Sequence, residues 1–302
     1  MILATHKEIR WPLFQDKIWL SVLENITVAY YEQLPFVNMS EGSKFGSGYP
    51  DGHSNFWACT VPIPYKTETI VKQETAVNIN DTIQDWFKRK YTFGFIGDWN
   101  RSMGPRKYSK GTLNLRARFN DIFSQGPSQS KTLEKYSSLF VKTSKGSKVA
   151  KKCDLNSTSE SCTNCYIRND TSNYPEMMNN VNYGLVFPGE SPDSIISSHQ
   201  LYGAISSFSI PIIIADSLME LHLPFLWKVS WRDMIYFVPE SDERSIMTDQ
   251  LKWLGKYLKM NKKLLKSKLK AIKKFRKEVL WSMPGNNVVK NIILEVYMRC
   301  IE

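Results

Sequence analysis

Between residues 188 and 198 the chain sets a Pro-Gly bend, an aspartate and four serines close together, among them Pro188, Gly189, Asp193, Ser194, Ser197 and Ser198. That combination suits a phosphate-sized anion. Gly189 permits close backbone approach, Asp193 can N-cap a helix, and the unpaired N–H groups of a helix start, with neighbouring hydroxyls, donate to negative charge. The bland alternative is a turn leading into an ordinary surface helix. For proton transfer, Asp51 and His53 in the GYPDGHSNF loop form the one close Asp/His pairing. Asp98 closes an apolar run, where a carboxylate would stand at a strand end. His199, beside Ser198, reads as a hydrogen-bonded or exposed residue rather than a ligand. Cys162 and Cys165 form a C-x-x-C pair nine residues after Cys153, but no fourth ligand lies nearby, so a local disulfide or unpaired thiols is expected rather than zinc.

The elements that would hold these groups are legible as periodicities. Tyr183 to Phe187 is a short apolar run ending at the Pro-Gly bend, Ser194 to Ser207 has helical spacing, and Ile210 to Ile214 is a β-branched run too short for a helix. The order is therefore strand, turn, helix, strand. Upstream, Phe93 to Gly97 reads as a strand and Leu113 to Phe123 as a helix. Phe123 to Ser172 is rich in Ser, Thr, Lys, Gly and Asn, with Tyr136 to Val141 its one buried-looking element. It reads as an elaborated connection.

From Tyr174 to Glu240 the sequence resembles the C-terminal half of the exostosin-like glycosyltransferases, an inverting, nucleotide-sugar-using family. The matching pieces are Tyr174, Met177 and Met178, the LVFPGE run, Ser197 and Ser198, Ala204, the Ile210-Pro211-Ile212 strand start, Asp216, Leu223-Pro224-Phe225 and Trp231. FGFIGD (Phe93 to Asp98) and the LRAR segment (Leu115 to Arg118) extend the likeness upstream. The resemblance implies an α/β protein of GT-B-like architecture, with two Rossmann-like domains facing a cleft and C-terminal helices packing back toward the first. The expected partition is 1–150 for an acceptor-side domain, a connection to about 172, and 173–302 for the nucleotide-sugar domain. Only about 58 residues precede the CTVPIPYK strand, so the first domain is expected to be reduced or incomplete.

The implied reaction is transfer of a sugar from a UDP-sugar to a carbohydrate acceptor, as in polysaccharide biosynthesis. It requires stabilisation of a departing diphosphate and a base for the acceptor hydroxyl. By the resemblance, Pro188, Gly189, Ser197, Ser198, Gln200 and Asp216 line the donor side, Arg116 and Arg118 reach it from the first domain, and Asp51 or Asp98 supplies the base. No metal and no cofactor beyond the donor substrate are expected, since D-x-D is missing, as are P-loop, G-x-S-x-G, H-E-x-x-H and G-x-G-x-x-G motifs. Three positions depart from the family pattern. Gln200 stands where an Arg commonly faces the diphosphate, Gly203 where an acidic residue holds a ribose hydroxyl, and Phe208 where a glycine precedes the Ile-Pro strand. The donor pocket is therefore altered, and the alternative is a catalytically degenerate glycan-binding or assembly subunit of the same fold.

Composition fits a folded protein: 302 residues, 42% hydrophobic and 13% aromatic. The net charge of +11 is local. Residues 251–280 hold 12 Lys or Arg against Glu278, and the rest balances. Leu254, Leu258, Leu265, Leu269, Ile272, Phe275 and Val279 space this segment as an amphipathic helix. A solvated lysine face is the plain reading, and contact with a membrane or another anionic surface the sharper one; nucleic acid is not an expected partner. Six N-x-S/T sequons, at Asn25, Asn38, Asn80, Asn100, Asn156 and Asn169, lean toward a secretory lumen. Relatives by resemblance are usually anchored in the Golgi. The expectation is thus Golgi or secretory lumen if an anchor is missing from this chain, and otherwise a soluble cytoplasmic protein.

Overall fold

Apolar runs too short for helices become parallel strands throughout this chain. The computed structural model describes residues 2–3, 28–30, 60–65, 78–97, 138–142, 151–152, 162–166, 178–187, 199–215, 223–239, 249, 253–254 and 261–300. Strands β1 (Ile2–Leu3), β2 (Val28–Tyr30) and β3 (Thr60–Pro62) form a small parallel sheet in that order. Seven more, β4 (Tyr91–Gly97), β5 (Ser138–Lys142), β6 (Lys151–Lys152), β7 (Cys162–Tyr166), β8 (Val181–Val186), β9 (Ile210–Ala215) and β10 (Tyr236–Pro239), form a second parallel sheet of order β10-β9-β8-β4-β5-β7-β6. Helix α1 (Ile79–Lys88) precedes β4, α2 (His199–Ser206) joins β8 to β9, and the short α3 (Trp231–Met234) leads into β10. Helices α4 (Lys262–Val279) and α5 (Val288–Cys300) complete the chain. The fold is α/β. Among the described residues no helix is long and apolar enough to cross a membrane.

The expected partition at 150–172 falls inside the large sheet. Strands β4 and β5 lie before it in the chain, yet β4 pairs directly with β8, Phe93 opposite Tyr183 and Gly94 opposite Gly184. A parallel sheet joins runs distant in sequence, so nothing local to FGFIG marks its neighbour. The C-x-x-C pair lies on β7, where an extended strand separates the two Cα atoms by about 10 Å, beyond the span of a disulfide between them.

Two faces of β8 meet different helices because its side chains alternate. Tyr183 packs edge-on against Trp86 of α1, ring centroids 5.4 Å apart, while the Trp86 indole donates to Asn182 O at 3.2 Å. The next residue, Gly184, meets α2. A Cβ there would lie 2.8 Å from Ala204 Cβ, so the absent side chain is what lets α2 settle onto the strand.

Helix α2 ends in a Schellman motif. Ser209 N–H donates to Ala204 O at 2.9 Å and Phe208 N–H to Ile205 O at 3.3 Å, with Phe208 left-handed at φ 55°. A left-handed φ strains any side chain and favours glycine, the residue that the resemblance expects here. Phe208 offsets that strain by burial and by the Arg276 guanidinium, which lies 4.3 Å from its ring centroid while donating to Ser206 O at 2.6 Å.

Two further cations, half-buried Arg89 and buried Lys268, hold strand and helix ends. Arg89 donates to Val181 O, Ser207 O and Ser209 Oγ at 2.6, 2.6 and 3.0 Å, pinning the amino ends of β8 and β9 to the start of β4; burial lowers its pKa to about 10. Lys268 of α4 donates to Arg232 O and Ile235 O at 2.5 and 2.8 Å and lies 4.4 Å from the Tyr236 ring centroid. Burial lowers the Lys268 pKa from 10.5 to about 8, with Asp233 opposing.

Two outcomes follow. At Phe208 the usual order of small residues inverts: Phe208→Ala costs about 3–5 kcal/mol, and Phe208→Gly is the more stable of the two by roughly 1 kcal/mol, measured by denaturant unfolding. At Lys268 the folded pKa lies below the unfolded one, so the folded state holds fewer protons between them and stability rises with pH across that window. Unfolding free energies of wild type minus Lys268→Met should be flat below pH 8 and climb between about 8 and 10.5; a flat difference would remove the depressed amine.

Candidate functional site

In an open parallel sheet the place for a ligand is the carboxyl edge where strand order reverses, because the loops leaving the two strands diverge there. Here the reversal lies between β4 and β8: the chain runs outward from β4 through β5 to β7 and β6, then returns to β8 beside β4 and proceeds to β9 and β10. The Gly94–Gly184 pairing brings Gly97 alongside Phe187 at the carboxyl ends. Beneath that edge Phe95 and Phe187 pack edge-to-face at 5.0 Å, both buried, so the strand ends rest on a closed aromatic floor.

Helix α2 runs back against the strands, since it leaves the carboxyl end of β8 and delivers the chain to the amino end of β9. Its amino end, with the positive end of its dipole, therefore lies toward the same edge. No acidic side chain occupies its first turn. His199 is exposed there, and its ring meets that of Tyr65 edge-on, centroids 4.2 Å apart. Tyr65 lies three residues beyond β3, so the small sheet sends its carboxyl end to the start of α2. The same segment is held from the other side, where Trp281, between α4 and α5, donates its indole N–H to Pro64 O at 2.7 Å, and α5 packs on β3. The C-terminal helices thus reach back to the N-terminal strands.

Of the residues expected at the donor site, Gln200 is within the described part. It is buried in the first turn of α2, 7% exposed. Asp51, Asp98, Arg116, Arg118, Pro188, Gly189, Ser197, Ser198 and Asp216 lie outside the described residues. In sequence, four of these adjoin the edge: Asp98 follows Gly97, Pro188 follows Phe187, Asp216 follows Ala215, and Ser198 precedes His199. Gly203 and Ala204 are buried on α2. Among the described residues no group of three His, Cys, Asp or Glu could hold a metal ion.

Sequence reasoning missed Tyr65 and Tyr202. Tyr65 sits in the CTVPIPYK turn, where only the prolines drew notice. Tyr202, fully buried on α2, brings its hydroxyl near the Tyr65 backbone without hydrogen-bond geometry, and burial raises its pKa far above the ordinary phenol value. Seven residues apart, Trp231 and Pro224 touch: Trp231 donates its indole N–H to Pro224 O at 2.8 Å, closing the turn in which Phe225 is left-handed at φ 59°.

Compared with protein-family models and with curated proteins, the chain matches none.

An orphan hydroxyl contributes little. Tyr202→Phe should change unfolding free energy by less than about 0.5 kcal/mol, where a well-bonded buried tyrosine loses about 1 kcal/mol or more; a larger loss would place a strong acceptor at Tyr65.

Proposed function

We propose that this chain is an inverting glycosyltransferase of the exostosin-like kind, moving a sugar from a UDP-sugar to a carbohydrate acceptor. The observation that carries the reading is the carboxyl edge at the β4–β8 reversal, where the amino end of α2 and the segment beyond β3 converge. The sequence likeness supplies the chemistry, for its LVFPGE run begins in the last residues of β8. In this reading the seven-stranded sheet belongs to the nucleotide-binding lobe, and the small parallel sheet to a reduced acceptor-side lobe of a GT-B-like pair.

Catalysis in this scheme is electrostatic. Backbone N–H groups at the helix start take the departing diphosphate, Ser197 and Ser198 add hydroxyl donors, and Asp98 or Asp51 removes the acceptor proton as the glycosidic bond forms on the opposite face of the sugar. Arg116 and Arg118 stand in for the cation that Gln200 does not supply. The second reading, a glycan-binding or assembly subunit without donor chemistry, is favoured by one observation: a neutral, buried amide at position 200.

Calorimetry with UDP separates the two. The transferase reading expects saturable binding with Kd below about 1 mM, and Gln200→Arg tightens it by about 10- to 100-fold through a charge-assisted contact. No saturation at millimolar nucleotide in either form would favour the binding subunit, and a panel of UDP-sugars scored for nucleotide release identifies the donor.

A further inference from the structure

Helix α4 presents a single-sign face. Lys263, Lys266, Lys270, Lys273, Lys274 and Lys277 recur at spacings of three and four, all exposed, and from residue 262 to 277 the helix carries no acidic side chain. At 100° and 1.5 Å per residue they make a stripe about 100° wide and about 21 Å long. Like charges at these spacings repel one another on an isolated helix, and an opposed anionic surface relieves that repulsion.

The stripe borders an open cavity of about 660 Å³, lined by four of these lysines, Lys270, Lys273, Lys274 and Lys277, with Lys228 contributed by the turn after Phe225. Phe275 and Glu278 form the buried part of the lining. Both carboxylate oxygens of Glu278 already accept amide N–H groups, from Asn287 and Asn291 at 2.9 Å each. Among the described residues the lining therefore sets five lysines against one carboxylate, which is committed inward.

Apolar side chains stand beside these charges. Leu226 and Trp227, immediately before Lys228, are 40% and 43% exposed. The Trp227 indole donates to Glu295 Oε2 of α5 at 2.6 Å, which fixes this turn beside the cavity. A nucleic acid or sulfated glycan would engage the lysines and leave the aliphatic groups in water. A bilayer interface takes up both, with tryptophan at the headgroup level and lysines on the phosphates.

We propose that the Lys228–α4 cavity binds phosphate-bearing headgroups of an anionic membrane, with Leu226 and Trp227 entering the interface. The contact is peripheral and reversible, and independent of the donor-site reading.

The test is flotation of the full chain with vesicles of phosphatidylcholine alone and of phosphatidylcholine mixed with phosphatidylserine. Binding is expected to the anionic vesicles, lost at about 0.5 M salt. Lys228→Gln should weaken it about fivefold, and joint substitution of Lys270, Lys273, Lys274 and Lys277 by Gln about 100-fold or more, with circular dichroism unchanged. Leu226→Ser should weaken vesicle binding while leaving any retention on heparin or single-stranded DNA unaltered. The proposal is overturned if anionic vesicles do not bind at low salt, or if Leu226→Ser leaves vesicle binding intact. It is equally overturned if heparin or single-stranded DNA binds through these lysines more tightly than the vesicles and displaces them.

Discussion

What the rest of the structure depends on is a missing side chain. Gly184 lies in β8 at the strand-order reversal, and the space its Cβ would occupy is taken by Ala204. Its partner across the β4 pairing, Gly94, is closed in the same way by Val181, whose methyl would stand 2.6 Å from an added Cβ. Two glycines opposite each other thus set how near β4, β8 and α2 approach. That approach aims the start of α2 at the carboxyl edge and brings His199 to Tyr65.

Around this contact the element ends are secured by cations from remote parts of the chain. Arg89 gathers the amino ends of β8 and β9, Arg276 covers the end of α2, and Lys268 covers the end of α3. Each donates to backbone carbonyls at these element ends, where an acceptor left buried without a donor costs about 1–3 kcal/mol. The amphipathic α4 therefore has two roles. Its inner cations, Lys268 and Arg276, close the core, while its outer lysines face water.

The strands were the legible part. Ile210 to Ile214 and Tyr183 to Phe187 announce themselves as apolar runs bounded by turn residues, and α4 by its period, because local pattern and tertiary burial agree at those places. Partnership was not legible: Phe93 to Gly97 reads as a strand, but its position beside β8 is a property of the crossover, and the expected division of the chain near 150–172 consequently cuts through the sheet. Nor could period alone show that Lys268 and Arg276 turn inward while their neighbours do not, since lysine and arginine read as surface. Phe208 was noticed as a departure from a glycine, and the left-handed backbone supplies its meaning. Of the proposed donor site, the sequence named the Pro-Gly pair and serines that adjoin the edge in sequence, but not Tyr65, whose place there comes from the meeting of the two sheets.

The central claim is that a nucleotide diphosphate occupies the edge between β4 and β8. Amide hydrogen exchange with and without UDP tests it most directly. Slowed exchange confined to the ends of β4 and β8 (residues 95–97 and 186–187) and the first turn of α2 is the expected result. Protection appearing instead along α4, or none at saturating UDP, would contradict it.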